Sequence, residues 1–247
     1  MITVILITIE ILLAILIGYD QIWISLPVIL ISVYLLTAFA ILEGITGREW
    51  IMLFIMPVYF TLVLTLLYFF FPQRWLTRLP FLIIYSISLY AIMLSQNIFN
   101  VGAQKSLQLY RAAFSVNYLY ITLTAFLVYN LILSFRLTFI ENNFYILLAS
   151  LPLAIHFFWS SDAKVTIDRE VIKYGIFVSV IISEVSLAFS FIPISIAVFA
   201  LFLTSLLYSL LGICQAHIQQ KLYRERIREY LFVLGFVLII VILSINW

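Results

Sequence analysis

The chain has 247 residues, of which 66% are apolar and only 10% charged, with a mean hydropathy of +1.21. A soluble domain carries about 25% charged residues and cannot hide this much apolar surface in one core, so the composition excludes a soluble fold and calls for lipid as solvent. The net charge of +2 is too small for a nucleic-acid footprint, and the single cysteine, Cys214, excludes an intrachain disulfide and a cysteine-rich metal site.

A helix needs about 20 apolar residues to cross the hydrocarbon, and helices are the expected form because each span must satisfy its own backbone. The runs are too long and too uniformly apolar for the alternating pattern of a barrel. Nine spans are predicted, at 1–18, 22–42, 50–71, 79–99, 112–135, 143–159, 171–190, 192–214 and 230–246. The sixth and ninth are the shortest, so the count is eight if one of them does not cross. The expected fold is an all-α polytopic bundle forming a single membrane domain over 1–247. The first run has no Lys or Arg before it and no small-residue cleavage pattern after it, so it reads as a span and not as a removable signal peptide. Pro72, Pro80 and Pro193 are placed at connections, and Pro57 and Pro152 inside spans, where they predict local kinks.

Basic residues give the orientation. Ten of the thirteen fall on alternate connections: Arg48; Lys105 and Arg111; Lys164, Arg169 and Lys173; and Lys221, Arg224, Arg226 and Arg228. Arg74, Arg78 and Arg136 fall on the other side. The N-terminus is therefore expected in the cytoplasm and, with nine spans, the C-terminus outside.

Polar groups at membrane depth cost about 2.5–3.5 kcal/mol each on insertion scales, so each calls for a reason. Glu10, in "ITIEILLA", lies near the middle of the first span. It reads as a proton or cation site, as a contact to another subunit, or as a structural carboxyl hydrogen-bonded between helices. Gln96, Asn97, Asn100, Gln104, Lys105, Arg111 and Asn117 form a polar cluster at one turn, which reads as a surface helix or a solvated loop. His156, near the cytoplasmic end of the sixth span, reads as a hydrogen-bonded histidine, since zinc needs three or four donors. In "TIDRE", Thr166 or Asp168 is placed at the start of the seventh helix as its cap. Gly175, Ser179, Ser183, Ser186 and Ser190 are spaced 4, 4, 3 and 4, which puts five small residues on one helical face, a pattern that lets two helices approach closely. Glu184 projects about 130° from that stripe at 100° per residue and reads as a pore group, an intersubunit contact or a capped structural carboxyl.

The stretch "QAHIQQKLYRERIREYLF" carries Lys221, Arg224, Arg226 and Arg228. Its apolar residues fall at helical spacing, so it is expected to continue the eighth helix into the interface and turn the chain into the ninth. Glu225 and Glu229 dilute its positive field, which argues against nucleic acid and for anionic headgroups at a membrane surface.

No phosphate-binding loop, dinucleotide fingerprint, zinc-protease helix or nucleophile elbow occurs in the sequence. All four lysines lie in connections or at span ends, where none is placed to form a Schiff base within a span, and no cofactor is expected. The stretches "LYRAAFSVNYLYITLTAFLVYNLILSF" (109–135) and "FLTSLLYSLLGICQAHIQQKLYRERIREYLFV" (202–233) resemble uncharacterised multispanning membrane proteins of candidate-phyla-radiation bacteria. The resemblance implies a bacterial inner-membrane location and brings no activity. Three functions are weighed. The favoured one is a non-enzymatic subunit or scaffold of a membrane assembly, with other membrane subunits as partners. The others are a small transporter or proton/cation pathway using Glu10 or Glu184, and a membrane enzyme acting on a lipid-linked substrate.

Overall fold

The computed structural model describes residues 2–17, 22–41, 50–68, 75–101, 107–164 and 167–245. Arg48, Arg74, Gln104, Lys105, Thr166 and Pro72 lie outside the described residues. Among those described, all regular structure is helical: α1 (Ile2–Ile17), α2 (Ile22–Ile41), α3 (Trp50–Tyr68), α4 (Trp75–Val101), α5 (Leu107–Ser134), α6 (Phe139–Ser160), α7 (Arg169–Phe189), α8 (Ile196–Ile218) and α9 (Arg224–Ser244). Eight of these, α2 to α9, are long and apolar enough to cross a membrane, and α1 is a shorter apolar helix of 16 residues.

The short helix is thus the first, not the sixth or the ninth, which run for 22 and 21 residues. Both extend beyond their apolar runs into polar sequence. At the start of α6, Thr138 and Glu141 form a reciprocal capping box: the Thr138 N–H donates to Glu141 Oε2 at 3.0 Å, and the Glu141 N–H donates to Thr138 Oγ1 at 3.4 Å. This satisfies two orphan donors at the start of the helix. At α7, Asp168 takes the N-cap position, with no side-chain capping bond. Pro80 lies inside α4 and not at a connection. It stands in the second turn, so it removes one helical hydrogen bond close to a terminus, and α4 continues.

The chain divides into two compact units, Met1–Tyr120 with Ala163–Thr166, and Ile121–Asp162 with Ile167–Trp247. In the first, α1 packs on α2 and α4, and α3 packs on α2 and α4. Its core is built from Ile7, Ile11, Val33, Leu53, Met56, Phe60, Tyr85 and Leu89, all essentially fully buried. The Phe60 ring stacks on Tyr85 at 6.2 Å and meets Tyr120 edge-on at 5.8 Å. On the far side of α2, Ile24, Ile31, Leu35 and Phe39 are exposed at helical spacing, as expected of a face covered by acyl chains.

The described part of the polar cluster at 96–117 is helical, while Gln104 and Lys105 lie outside the described residues. α4 runs on to Val101 and α5 starts at Leu107, so most of the cluster is helical. Gln96 and Asn117 are buried, and Gln96 Nε2 donates to Asn117 Oδ1 at 3.2 Å. Asn100 Nδ2 donates to the Ile41 carbonyl at 2.9 Å, where it takes up a free acceptor at the end of α2. Amides facing inward gain partners that hydrocarbon cannot supply.

In the second unit α6 and α7 form the most extensive pairing, and α8 packs on α7, α9 and α6. Along α7, Gly175, Ser179, Ser183 and Ser186 are buried, while Ser190 is half-buried at the helix end. A Cβ on Gly175 would lie 2.5 Å from Ile155 Cγ1 and 3.3 Å from the Ile155 backbone. Ser179 and Ser190 return their hydroxyls to carbonyls one turn back, and Ser183 Oγ donates across to Asn143 Oδ1 at 2.8 Å. These are the devices by which helices associate where lipid removes a hydrophobic drive.

The stretch from 215 to 232 is not one helix. α8 ends at Ile218 and α9 begins at Arg224. Gln220 has a positive φ of 54°, the Gln220 N–H donates to the His217 carbonyl at 2.9 Å, and the Lys221 N–H donates to the Ala216 carbonyl at 2.8 Å. That pair of bonds is a Schellman stop, built on glutamine where glycine is usual.

Candidate functional site

Three polar features remain to be placed: Glu10, Glu184 and the basic collar. α1 buries Val4, Ile7, Ile11 and Ala14 against its neighbours, and two of its polar side chains, Thr8 and Glu10, flank that stripe. Thr8 and Glu10 are two residues apart, about 200° around the helix, so they reach different partners. Thr8 Oγ1 hydrogen-bonds Ser86 on α4 at 2.9 Å. The carboxyl of Glu10, half-buried, accepts a hydrogen bond from Ser32 on α2. Ser32 Oγ also lies 2.9 Å from the Ile29 carbonyl. A hydroxyl has one proton, so Ser32 can direct it to its own helix or to the carboxyl.

Beside Glu10, α1 and α2 leave a groove of about 310 Å³ whose walls include Leu13, Ala14, Ile24, Val28 and Ile29. Its rim is exposed and apolar: Leu13 is 53% exposed, Ile24 70% and Val28 59%. The groove therefore opens sideways, toward lipid. Among the described residues that line it, Glu10 is the one ionisable group.

Glu184 is exposed on α7. It shares its face with Phe177 and Val180, also exposed, and not with the buried small-residue stripe. It has no hydrogen-bond or ion-pair partner among the described residues. Five residues of α7 follow it, so it lies about 8 Å along the axis from the helix end. Glu10 and Glu184 belong to different units, and each is described within its own.

His156 is fully buried, with its ring 5.8 Å from that of Trp159 one turn on. Cys214 is buried and free. No group of three or more His, Cys, Asp or Glu side chains able to hold a metal occurs among the described residues.

Lys221 lies in the five-residue connection between α8 and α9, and Arg224, Arg226 and Arg228 lie in the first two turns of α9, all four exposed. Arginine at a helix N-terminus opposes the macrodipole at a cost of about 0.3–1 kcal/mol each. Only Glu225 in that first turn runs with the dipole. The arginines therefore do not serve the stability of α9 itself, and an anion at this end would offset their charge and the free N–H groups together. The order of charges is readable in the sequence, but the helix start that gives it meaning is not, because no glycine or proline marks the stop before it.

Helices of this length and apolarity, carrying isolated carboxyls and basic ends, define a multi-pass helical membrane protein. The family described as "Protein of unknown function (DUF5656)" matches residues 29–244, and the chain belongs to it. Neither a curated protein nor a solved structure matches the chain.

Proposed function

We propose that this protein is a non-enzymatic subunit of a larger assembly in a bacterial inner membrane, with the basic ends of its helices in the cytoplasm against anionic headgroups. The observation that carries this reading is Glu184, an exposed carboxyl within a span and without a partner among the described residues. Facing acyl chains it would cost up to about 2.5–3.5 kcal/mol. A polar or basic group on a neighbouring subunit would remove that cost and turn the Glu184 face into an address. The exposed Phe177 and Val180 beside it supply the apolar contact such an interface needs. The exposed Arg224, Arg226 and Arg228 support the orientation, since basic segments near a membrane gain about 1 kcal/mol per charge on the anionic leaflet.

The test is purification from native membranes in mild detergent. A discrete heteromeric species is expected, with a photoreactive residue at position 180 joining this chain to a specific neighbour. Glu184→Gln is expected to weaken that species several-fold, by about 1 kcal/mol, with insertion unchanged. A monodisperse monomer from the native membrane would sink the reading.

A second reading, a proton or cation pathway, is favoured by the bonded pairs in the first unit: Glu10 with Ser32, Thr8 with Ser86, and Thr61 with Tyr85 at 2.8 Å. They are three separate pairs, which join α2 to α1, α1 to α4 and α4 to α3. In proteoliposomes, a flux abolished by Glu10→Gln is then expected; equal flux in wild type and variant removes Glu10 from any such path.

A further inference from the structure

The groove between α1 and α2 carries a second inference, independent of the assembly reading. Its geometry inverts that of a phospholipid. Glu10 stands seven residues before the end of α1, about 10 Å along the axis. The largely apolar walls run from there toward the α1–α2 connection, with Leu13 and Ala14 of α1 and Ile24, Val28 and Ile29 of α2, and Ser25 beside Ile24. The polar group is therefore deep, and the apolar channel lies between it and the membrane surface. A phospholipid seated here would bring the end of its acyl chain to the carboxyl and leave the carboxyl no better off than bare hydrocarbon does.

Charge narrows the occupant further. α1 and α2, which wall the groove, contain no Lys, Arg or His, and α4, which also packs on α1, carries Arg78 near its start. Among the described residues the Glu10 carboxyl accepts a hydrogen bond from Ser32. Among the described residues that line the groove none is basic, so a ligand that brings a cationic group supplies the counter-charge the groove lining lacks. At about 310 Å³ the groove is at the lower end of small-molecule sites, and its exposed rim admits a ligand from the bilayer.

We propose that the α1–α2 groove binds a compact lipophilic amine, with its ammonium group against the Glu10 carboxylate and its hydrocarbon body along Leu13, Ala14, Val28 and Ile29. Ser32 positions the carboxylate by donating to the oxygen it already meets, which leaves the other oxygen for the ammonium. The length of an octyl chain matches the distance from Glu10 to the end of α1, so octylamine is the probe and octanol its uncharged control.

The full-length protein in detergent micelles is titrated with each compound, and bound ligand is counted by native mass spectrometry. Octylamine is expected to bind about tenfold more tightly than octanol, a difference of about 1.4 kcal/mol. In Glu10→Gln, which keeps the size of the side chain and its bond to Ser32, the ratio is expected to fall to about one. Val28→Trp fills the groove from its exposed rim and is expected to weaken both compounds. Glu184→Gln is expected to leave the ratio unchanged. Equal binding of amine and alcohol by the wild type would overturn the proposal. So would a preference that survives Glu10→Gln or is lost in Glu184→Gln, and binding indifferent to Val28→Trp would remove the groove as its location.

Discussion

The α6–α7 and α8–α9 pairs are each joined by a short connection and each contains a glycine at a close approach, yet they are built differently. Gly175 lets the backbone of α7 come against the backbone of α6 at Ile155, and the contact continues through a face of serines to the Ser183–Asn143 bond. Gly212 instead receives one ring: a Cβ there would lie 2.2 Å from Tyr230 Cζ and 2.3 Å from its hydroxyl. Beyond that ring, α9 buries only Val237 and Val241 fully. Ser209 Oγ adds a hydrogen bond to the Tyr230 carbonyl at 3.2 Å, and the Tyr208 ring meets Tyr230 edge-on at 5.5 Å. Both pairs are apolar, and lipid is as good a solvent for leucine as another helix is. What separates them is how much backbone approaches backbone, and that is decided by small residues in register rather than by hydrophobicity.

The largest effect is expected where nothing can yield. In Gly175→Leu the new side chain meets backbone atoms of Ile155 at 3.3 Å as well as a side-chain carbon at 2.5 Å. The α6–α7 pair must open, with an expected loss of about 1–3 kcal/mol or more, read as a fall in the unfolding midpoint in a denaturing-detergent titration. Unchanged stability would mean that the close approach is not what holds the pair.

A smaller effect is expected at the other glycine. Gly212→Ala collides with atoms at the far end of one tyrosine, and Tyr230 can swing outward because α9 is largely exposed around it. The loss should be about 1 kcal/mol, and it should appear as protease access to α9 and not as unfolding of the whole unit. With Tyr230→Ala already present, Gly212→Ala should cost almost nothing, because the two changes share one contact. Additive effects would show that α9 is held elsewhere.

The contrast between the pairs was half readable beforehand. The spacing of Gly175, Ser179, Ser183 and Ser186 marks a face, because helical period is local. That the face meets Ile155 and Asn143 is not local, and hydropathy names no neighbours. The same limit hid Ser32 from Glu10, 22 residues away, and Asn117 from Gln96, 21 away. Helix ends were harder still. The apolar run marks where lipid lies, but α6 is set by the Thr138–Glu141 box and α8 by a left-handed Gln220, and neither is announced by an apolar boundary. The spans were therefore legible, their ends less so, and the pairing of polar groups across them hardly at all. The groove beside Glu10 belongs to that last class, since it exists only where two helices diverge.

The smallest effect is also the one that best separates packing from polar bonding in the α6–α7 pair. Ser183→Ala removes the bond to Asn143 Oδ1 but keeps a small residue on the stripe, so the helices can stay as close as before. Hydrogen bonds between helices in lipid are worth about 0.6 kcal/mol on average, and a loss of that order is expected in the same detergent titration. Asn143→Ala should cost a similar amount, and the double variant should cost no more than either alone. The buried Ser186 Oγ, by contrast, has no hydrogen-bond partner among the described residues, so Ser186→Ala is expected to be neutral or stabilising. If Ser183→Ala is as harmless as Ser186→Ala, the serines are there for their size, and the pair rests on close packing alone.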